Sequence, residues 1–258
     1  MKTTSFFASL FFLFLFLPGG PWKKSPAAGY DVFYQKPDRT MAKTLRPVFA
    51  AAKDSVAAFF GQNFPRPFAI YIHPDRASMD AQWQHDWQMP DFKSECWMVA
   101  SGVGARLDLL SPRQWATQAC EHDWARQEAS RRLITHELVH VYHGQRNPSP
   151  DFSDVQGLDW LVEGLAAYAS GQCDEARLAP VRAAVRDGKA PATLDKFWSG
   201  PLRYGLSGSV VAWIDHRYGR QTLIDLLPLT RKQAALDRLG VSEAQLLKDW
   251  QEYVVARK

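Results

Sequence analysis

The chain has 258 residues, of which 46% are hydrophobic and 13% aromatic. This composition supplies enough apolar surface for one folded domain and excludes global disorder, while Gly and Pro without a period exclude a collagen-like chain. The net charge of +4 arises from 31 basic and 27 acidic residues that are spread along the chain. Because the basic residues form no continuous stripe, the sequence does not indicate a nucleic-acid partner.

The first segment is typical of an export signal. Lys2 precedes an uncharged apolar run over residues 6–17, which is shorter than the roughly 20 residues that a membrane-spanning helix needs. Small residues follow at Gly19 and Ala27, where a signal peptidase would cleave. We therefore expect residues 1–28 to be a signal peptide, with an uncleaved membrane anchor as the alternative. The protein would then be periplasmic, attached to the cell envelope or secreted, in a bacterial context.

The N-terminal half combines a helix with short strands. Apolar residues recur at helical spacing over residues 41–60, and Gly61 ends this predicted helix. Strands are predicted at clusters of β-branched, aromatic and aliphatic residues, namely 68–72, 97–99 and 105–110. In the last strand, Leu107 and Leu109 should face the core while Arg106 and Asp108 face outwards.

The chain beyond about residue 125 has a helical pattern almost to its end. Helices are predicted near residues 126–145, 158–171, 175–187, 206–218, 220–227, 231–239 and 242–256. Strands followed by helices indicate an α+β fold. We expect a single domain over residues 29–256, with an N-terminal α/β part at about 41–147 and a helical part at about 155–256.

Three cysteines, Cys96, Cys120 and Cys173, permit one disulfide and leave one thiol. An exported chain meets an oxidising compartment, in which a disulfide forms readily. We favour Cys96–Cys120, because these two flank one short segment, although three pairings fit the sequence.

One motif carries most of the chemical information. His136, Glu137 and His140 form an H-E-x-x-H pattern inside a predicted helix. At about 100° per residue the two histidines lie on one helical face, one turn apart, so both imidazoles can bind the same metal ion. Glu137 lies beside them, where a carboxylate can accept a proton from water.

A catalytic zinc ion needs a third protein ligand. His143 lies about 10 Å from His136 along the helix, which is too far to share the ion. The metzincin pattern requires histidine at position 146, where this chain has Arg146. Glu163 remains, as the single carboxylate in the apolar run over residues 160–168 of a predicted helix, because a carboxylate buried there requires a cation.

The motifs His136-Glu137-x-x-His140 and Trp160-Leu161-x-Glu163-Gly164-Leu165-Ala166 resemble those of the gluzincin metallopeptidases, particularly the peptidase MA-like group. This resemblance implies a zincin-like domain in which a small mixed or antiparallel sheet precedes a helical C-terminal half that carries the third zinc ligand. It also implies an edge strand, within residues 102–110, that pairs with a peptide substrate.

The same resemblance assigns roles to five residues. One Zn²⁺ ion would be bound by His136, His140 and Glu163, with Glu137 as general base and Tyr204 as a donor to the oxyanion. The resemblance is incomplete, because the glutamate motif that binds the substrate amine in aminopeptidase N has no counterpart here. Thermolysin-like enzymes place an aspartate four residues after the glutamate ligand, where this chain has Ala167. Carboxylates considered as partners of the zinc-binding histidines are Asp154, Asp159 and Asp215.

We therefore expect an exported zinc-dependent peptidase that acts on peptides or proteins. Two alternatives fit the same residues: a zinc-site binding protein of the cell envelope without catalysis, and a hydrolase of a non-peptide amide such as a cell-wall component. Contact with a membrane is expected only through an uncleaved N-terminal segment. No sequence feature sets the oligomeric state.

Overall fold

A small mixed sheet forms the N-terminal part of the fold, in a computed structural model that describes residues 20–256. Its strands lie in the spatial order β1-β2-β3-β5-β4, with β2, β3 and β5 parallel and the two outer strands antiparallel to their neighbours. The strands are β1 (Lys23–Ala27), β2 (Tyr30–Tyr34), β3 (Phe68–His73), β4 (Ala100–Val103) and β5 (Arg106–Leu110). The strand β4 is therefore at an edge of the sheet.

Helices connect these strands and form the C-terminal half. In chain order they are α1 (Arg39–Phe60), α2 (Arg76–Asp86), α3 (Trp115–Gln118), α4 (Gln127–Gly144), α5 (Asp159–Ala169), α6 (Glu175–Arg186), α7 (Arg203–Tyr218), α8 (Arg220–Leu226), α9 (Lys232–Leu239) and α10 (Glu243–Ala256). This architecture confirms the predicted α+β fold with a helical C-terminal half.

The helix α4 is central to the packing. It contacts α1, α5 and the strands β4 and β5, and its second half is buried on all sides. A run of buried residues around a helix requires a neighbour on each face. This position brings the H-E-x-x-H motif to the junction between the sheet and the helical half.

The strand predicted over residues 97–99 is wrong, because the strand begins at Ala100 instead. The carbonyl groups of Glu95, Cys96 and Met98 accept hydrogen bonds from the guanidinium of Arg76. These carbonyl groups face a side chain rather than a neighbouring strand, so the aromatic and β-branched run forms a turn. Residues 101–103, which lie between the two predicted strands, belong to β4.

Asp108 also differs from its predicted outward orientation, because it is buried. Its carboxylate lies 2.8 Å from Nε2 of His73 and accepts a hydrogen bond of 2.8 Å from Nε of Arg106. These two partners stabilise a charge that an apolar environment would otherwise disfavour. Sequence alternation alone therefore did not reveal that this second face of the strand is also buried.

The N-terminal strands β1 and β2 were not predicted. The sequence of β1 is polar and contains Pro26, which suits an edge strand because proline lacks the N–H of an internal ladder. Of the predicted signal segment, residues 1–19 lie outside the described range, whereas Lys23–Ala27 forms β1. No helix between residues 20 and 256 is both long and apolar enough to cross a bilayer.

A disulfide joins Cys96 to Cys120, the pairing that the sequence favoured. It links the turn before β4 to the segment after α3. Together with the Arg76 guanidinium it fixes Trp97, which borders the cavity described below.

Candidate metal centre

Two imidazoles from one turn of α4 approach each other closely. The Nε2 atoms of His136 and His140 are 3.1 Å apart, and both side chains are buried. The helix runs through this region without an internal glycine or proline, and Ile134, Leu138 and Val141 anchor it in the core. The pair is thus held in place by the packing of α4.

Glu163 approaches the same point from α5. Its Oε2 atom lies 3.3 Å from Nε2 of His136 and 3.5 Å from Nε2 of His140. A tetrahedral zinc site with ligands at about 2.0–2.1 Å places neighbouring ligand atoms about 3.3 Å apart. The three distances therefore match the face of a coordination tetrahedron. These residues fit a zinc ion, and the carboxylate and imidazoles are the donor types that zinc prefers.

Close packing between α5 and α7 fixes the position of Glu163. A β-carbon built on Gly164 would lie 2.4 Å from the carbonyl oxygen of Ser207, so the two helix backbones approach at a distance that only glycine allows. Further along α5, the hydroxyl of Tyr168 donates a hydrogen bond of 2.8 Å to Asp215 on α7. These contacts prevent α5 from rotating about its axis.

The charges of the cluster are coupled. Burial opposes ionisation of Glu163, but the neighbouring His140 and His136 outweigh it and hold the pKa of this carboxyl well below its usual range. Burial likewise opposes protonation of His140, whereas the Glu163 carboxylate raises the pKa of that imidazole overall. The site therefore stabilises one positive charge between its three side chains, which a metal cation would replace.

His143, the candidate that spacing had excluded, is buried away from the cluster. Its Nε2 atom donates a hydrogen bond of 3.0 Å to the carbonyl oxygen of Leu227. Burial and the charge of His140 lower the pKa of His143 to about 3. His143 therefore stays neutral and connects α4 to the segment after α8.

Glu137 belongs to α4 and lies where this helix runs beside the edge strand β4. Its side chain is largely buried, and a β-carbon on Gly102 would lie 2.1 Å from its backbone oxygen. This approach requires glycine at position 102. The edge strand consequently runs directly alongside the motif helix.

A cavity of about 400 Å³, here called the metal cavity, opens beside these groups. The residues that line it come from β4, α4, α5, α7 and several loops, and include Ala100, Ser101, Gly102, Val103, His136, Glu137, His140, Asp151, Phe152, Glu163, Trp198 and Tyr204. The outer edge of β4 borders this cavity, and in the described residues β4 pairs only with β5. The predicted ligands, the predicted base and the edge strand are thus brought to one cavity.

Tyr204 occupies the first turn of α7. Its ring centre lies 6.1 Å from that of His136 and 4.8 Å from that of Trp198. Burial and the nearby Glu163 raise the pKa of its hydroxyl, which therefore stays protonated and able to donate. Tyr204 is one of the residues that line the metal cavity.

None of the three aspartates considered as partners contacts the histidine pair within residues 20–256. Asp215 accepts hydrogen bonds from Tyr168 and Arg220, and Asp159 is exposed at the start of α5. The Nδ1 atoms of His136 and His140 are buried and have no hydrogen-bond partner among the described residues. The expectation of an Asp154, Asp159 or Asp215 partner is therefore wrong.

Sequence reasoning missed Phe152, which lines the metal cavity in a loop between α4 and α5. Its φ of 62° is left-handed, a conformation that bulky residues rarely adopt. The ring lies 5.9 Å from that of His140 and 4.9 Å from that of His143. Only the neighbouring Pro, Ser and Asp residues signalled a loop, and they gave no sign of an aromatic contact.

Solved structures provide the comparison at the level of the fold. Two crystal structures of an M1 zinc metallopeptidase from Deinococcus radiodurans, one of them a mutant, each match with a TM-score of 0.50 and 14% sequence identity. The chain has a zincin-like fold. The matches cover 92% of this chain but 53% of the other, so it spans about half the length of these enzymes. No protein-family model and no curated protein matches the sequence.

Proposed function

We propose that this chain is a zinc-dependent peptidase. The observation that carries the proposal is the triangle of Nε2 and Oε2 atoms from His136, His140 and Glu163, with sides of 3.1–3.5 Å, at a cavity that also contains Glu137. The zincin-like fold supports it, since the matched structures are described as zinc metallopeptidases. The metal count of one and the peptide substrate belong to the proposal.

In this proposal each side chain has a separate role in amide hydrolysis. His136, His140 and Glu163 would hold the metal, which when bound supplies Lewis acidity to the carbonyl group and to water. The Glu137 carboxylate accepts the proton of the attacking water and returns it to the departing amine. The Tyr204 hydroxyl donates a hydrogen bond to the developing oxyanion.

The position of the edge strand β4 supports the proposal that the substrate is an extended peptide. A strand at a sheet edge presents unpaired backbone groups to which a peptide can add as a further strand. The outer edge of β4 borders the metal cavity beside Glu137. A peptide paired there would pass its backbone amides close to the proposed base.

We further propose that the protein is exported, as the N-terminal sequence suggests. The Cys96–Cys120 disulfide supports this, because disulfides persist mainly in oxidising compartments. Cell fractionation with the full-length chain would test this part, and a purely cytoplasmic protein would contradict it.

The Glu137→Gln variant tests the catalytic assignment. It should retain zinc at the wild-type ratio and lose peptide hydrolysis by at least about 100-fold, because the amide cannot accept a proton. Zinc content and the cleavage rate of a broad peptide library are the two measurements. The exposed Glu252→Gln on α10 is the matched control and should behave as the wild type.

Three outcomes would contradict the proposal. Undiminished cleavage by Glu137→Gln would exclude this glutamate as base. Stoichiometric zinc in a wild-type protein that cleaves no peptide would favour a binding protein, and hydrolysis of cell-wall fragments alone would favour a non-peptide amide.

A further inference from the structure

A second cavity of about 250 Å³ adjoins the metal cavity on the other side of Glu137. The two share a border formed by Trp87, Trp97, Ala100, Ser101, Glu137 and Tyr204. Gly102 and Val103 border only the metal cavity, so the second one lies at the Ala100 end of β4. A peptide extended along β4 would pass from one cavity to the other.

Two guanidinium groups line this second cavity, which is here called the arginine cavity. Arg177 lies over the ring of Tyr204, with its Cζ atom 4.5 Å from the ring centre, and Arg203 lies 5.2 Å from the centre of the Trp97 ring. Aromatic faces orient a guanidinium without neutralising its charge. Both arginines are therefore held by rings at the cavity wall.

Neither arginine forms an ion pair among residues 20–256. The acids next to Arg177 on its other side, Glu128 and Asp174, are both paired with Arg132. The buried Nη1 of Arg177 has no hydrogen-bond partner among the described residues. The arginine cavity is therefore lined by two guanidinium groups that form no ion pair with a described residue.

Two carboxylates also border this cavity. Glu137 is the proposed base, and Glu121 lies exposed at the rim, without an ion pair to Arg177 or Arg203 in the described residues. The metal cavity, by contrast, carries Asp151, Asp159 and Glu163. The metal cavity therefore carries the additional carboxylates, whereas the unpaired arginines lie in the arginine cavity at the Ala100 end of β4.

The position of Arg177 is set by the backbone. A β-carbon on Gly205 would lie 2.5 Å from the carbonyl oxygen of Arg177, so α6 and α7 touch beside Tyr204. Because of this contact, the backbone of Arg177 cannot move away from α7 without separating the two helices. The side chain of Arg177 therefore starts from a fixed point beside the Tyr204 ring, over which its guanidinium lies.

From this arrangement we infer that the arginine cavity is a specificity subsite for a substrate carboxylate, with Arg177 as its main recognition residue and Arg203 beside it. The inference rests on the proposed peptidase function and names the class of substrate: peptides that carry a carboxylate on one side of the cleaved bond. The carboxylate comes either from an Asp or Glu side chain or from the free C-terminus of a short peptide. Arginine suits both, since its N–H groups match a carboxylate in pairs.

Matched peptides and one arginine substitution test the inference. Each peptide pair differs only in Glu against Gln, placed before or after the cleaved bond, or in a free against an amidated C-terminus. The wild type should cleave one carboxylate member with a kcat/KM about tenfold or more above its neutral partner, as expected for a charge-assisted hydrogen bond. The pair that shows the preference identifies the source of the carboxylate.

The Arg177→Gln variant should lose that preference, so that its kcat/KM for the carboxylate member and for the neutral partner become equal within about twofold. The control is Arg186→Gln, because Arg186 is exposed on the same helix and has no ion pair in the described residues. Binding of the same peptides to the inactive Glu137→Gln protein, followed by tryptophan fluorescence, measures recognition without turnover. The Glu137→Gln protein should bind the carboxylate peptide more tightly than its neutral partner, and the added Arg177→Gln substitution should remove this difference.

The outcomes separate the two proposals. If the wild type cleaves peptides but treats charged and neutral partners alike, or if Arg177→Gln leaves the preference unchanged, the arginine cavity is not a carboxylate subsite. If the wild type cleaves no peptide at all, the peptidase proposal fails. In that case peptide binding by Glu137→Gln that still favours the carboxylate and depends on Arg177 supports the subsite, and binding without such a difference overturns it.

Discussion

Protons and a metal ion compete for His140. The neighbouring Glu163 carboxylate raises the pKa of this imidazole above its ordinary value of 6.5 despite burial, whereas Glu163 itself stays ionised because its own pKa is held low. Zinc binds only the neutral imidazole. Below the raised pKa, zinc binding must therefore release a proton from His140.

We predict that zinc affinity falls about tenfold for each pH unit below that pKa. In the metal-free protein the stability changes with pH in the opposite direction. The raised pKa of His140 stabilises the fold most at low pH, and this contribution is lost as the pH rises through the pKa of the folded state. The difference in Tm between zinc-loaded and EDTA-treated protein should therefore widen from pH 5.5 to pH 8. A difference that stays constant over this range would contradict the coupling.

Tyr204 donates to the oxyanion in the proposed mechanism, and its raised pKa keeps the donor proton in place. Tyr204→Phe should lower kcat by about 100-fold with little change in KM or zinc content, because the hydrogen bond forms only in the transition state. Steady-state kinetics with a cleaved peptide measure this. Tyr218→Phe, at the opposite end of α7, is the control, and full activity of Tyr204→Phe would reduce Tyr204 to a packing role.

The contact between α5 and α7 determines whether the third ligand reaches the histidines. Gly164 follows Glu163 directly, and its backbone approaches Ser207 too closely for a side chain. Alanine at a helical position ordinarily stabilises a helix by about 1 kcal/mol relative to glycine. A destabilising effect at position 164 would therefore come from the helix contact rather than from helix propensity.

Gly164→Ala should lower the free energy of unfolding by about 1–3 kcal/mol, as overpacking does, and Tm by several degrees. Zinc affinity should fall as well, because α5 must shift away from α7 and move Glu163. Thermal unfolding and zinc titration measure the two effects. The exposed Glu252→Gln on α10 is the control and should leave both quantities unchanged. Unchanged stability and zinc affinity of Gly164→Ala would show that the contact does not position the ligand.

The elements of the helical half follow from sequence periodicity, and their predicted bounds lie within a few residues of those observed. Local patterns suffice there because each helix buries one apolar face. The same patterns failed where a side chain replaced a backbone partner. The Arg76 guanidinium donates a hydrogen bond to the carbonyl group of Glu95, and His73 stabilises the buried Asp108. Both contacts join residues that are distant in the sequence, so no local pattern indicates them.

The candidate site was predictable in its residue types but not in its surroundings. His136, Glu137 and His140 are recognisable from spacing, and Glu163 from its apolar context, since metal chemistry restricts the residue types. The approach of Arg177 to Tyr204, by contrast, depends on how α6 packs against α7 at Gly205. On sequence alone, Arg177 is one of several charged residues on an ordinary surface helix.

The proposed function depends on one metal ion bound between α4 and α5. A crystal structure of the purified protein, with anomalous data collected on both sides of the zinc absorption edge, measures this most directly. We predict one zinc peak at about 2.0–2.2 Å from Nε2 of His136, Nε2 of His140 and a carboxylate oxygen of Glu163. A zinc-supplemented crystal with no peak there, or with Glu163 turned away from the histidine pair, would contradict the metal centre and the peptidase proposal that depends on it.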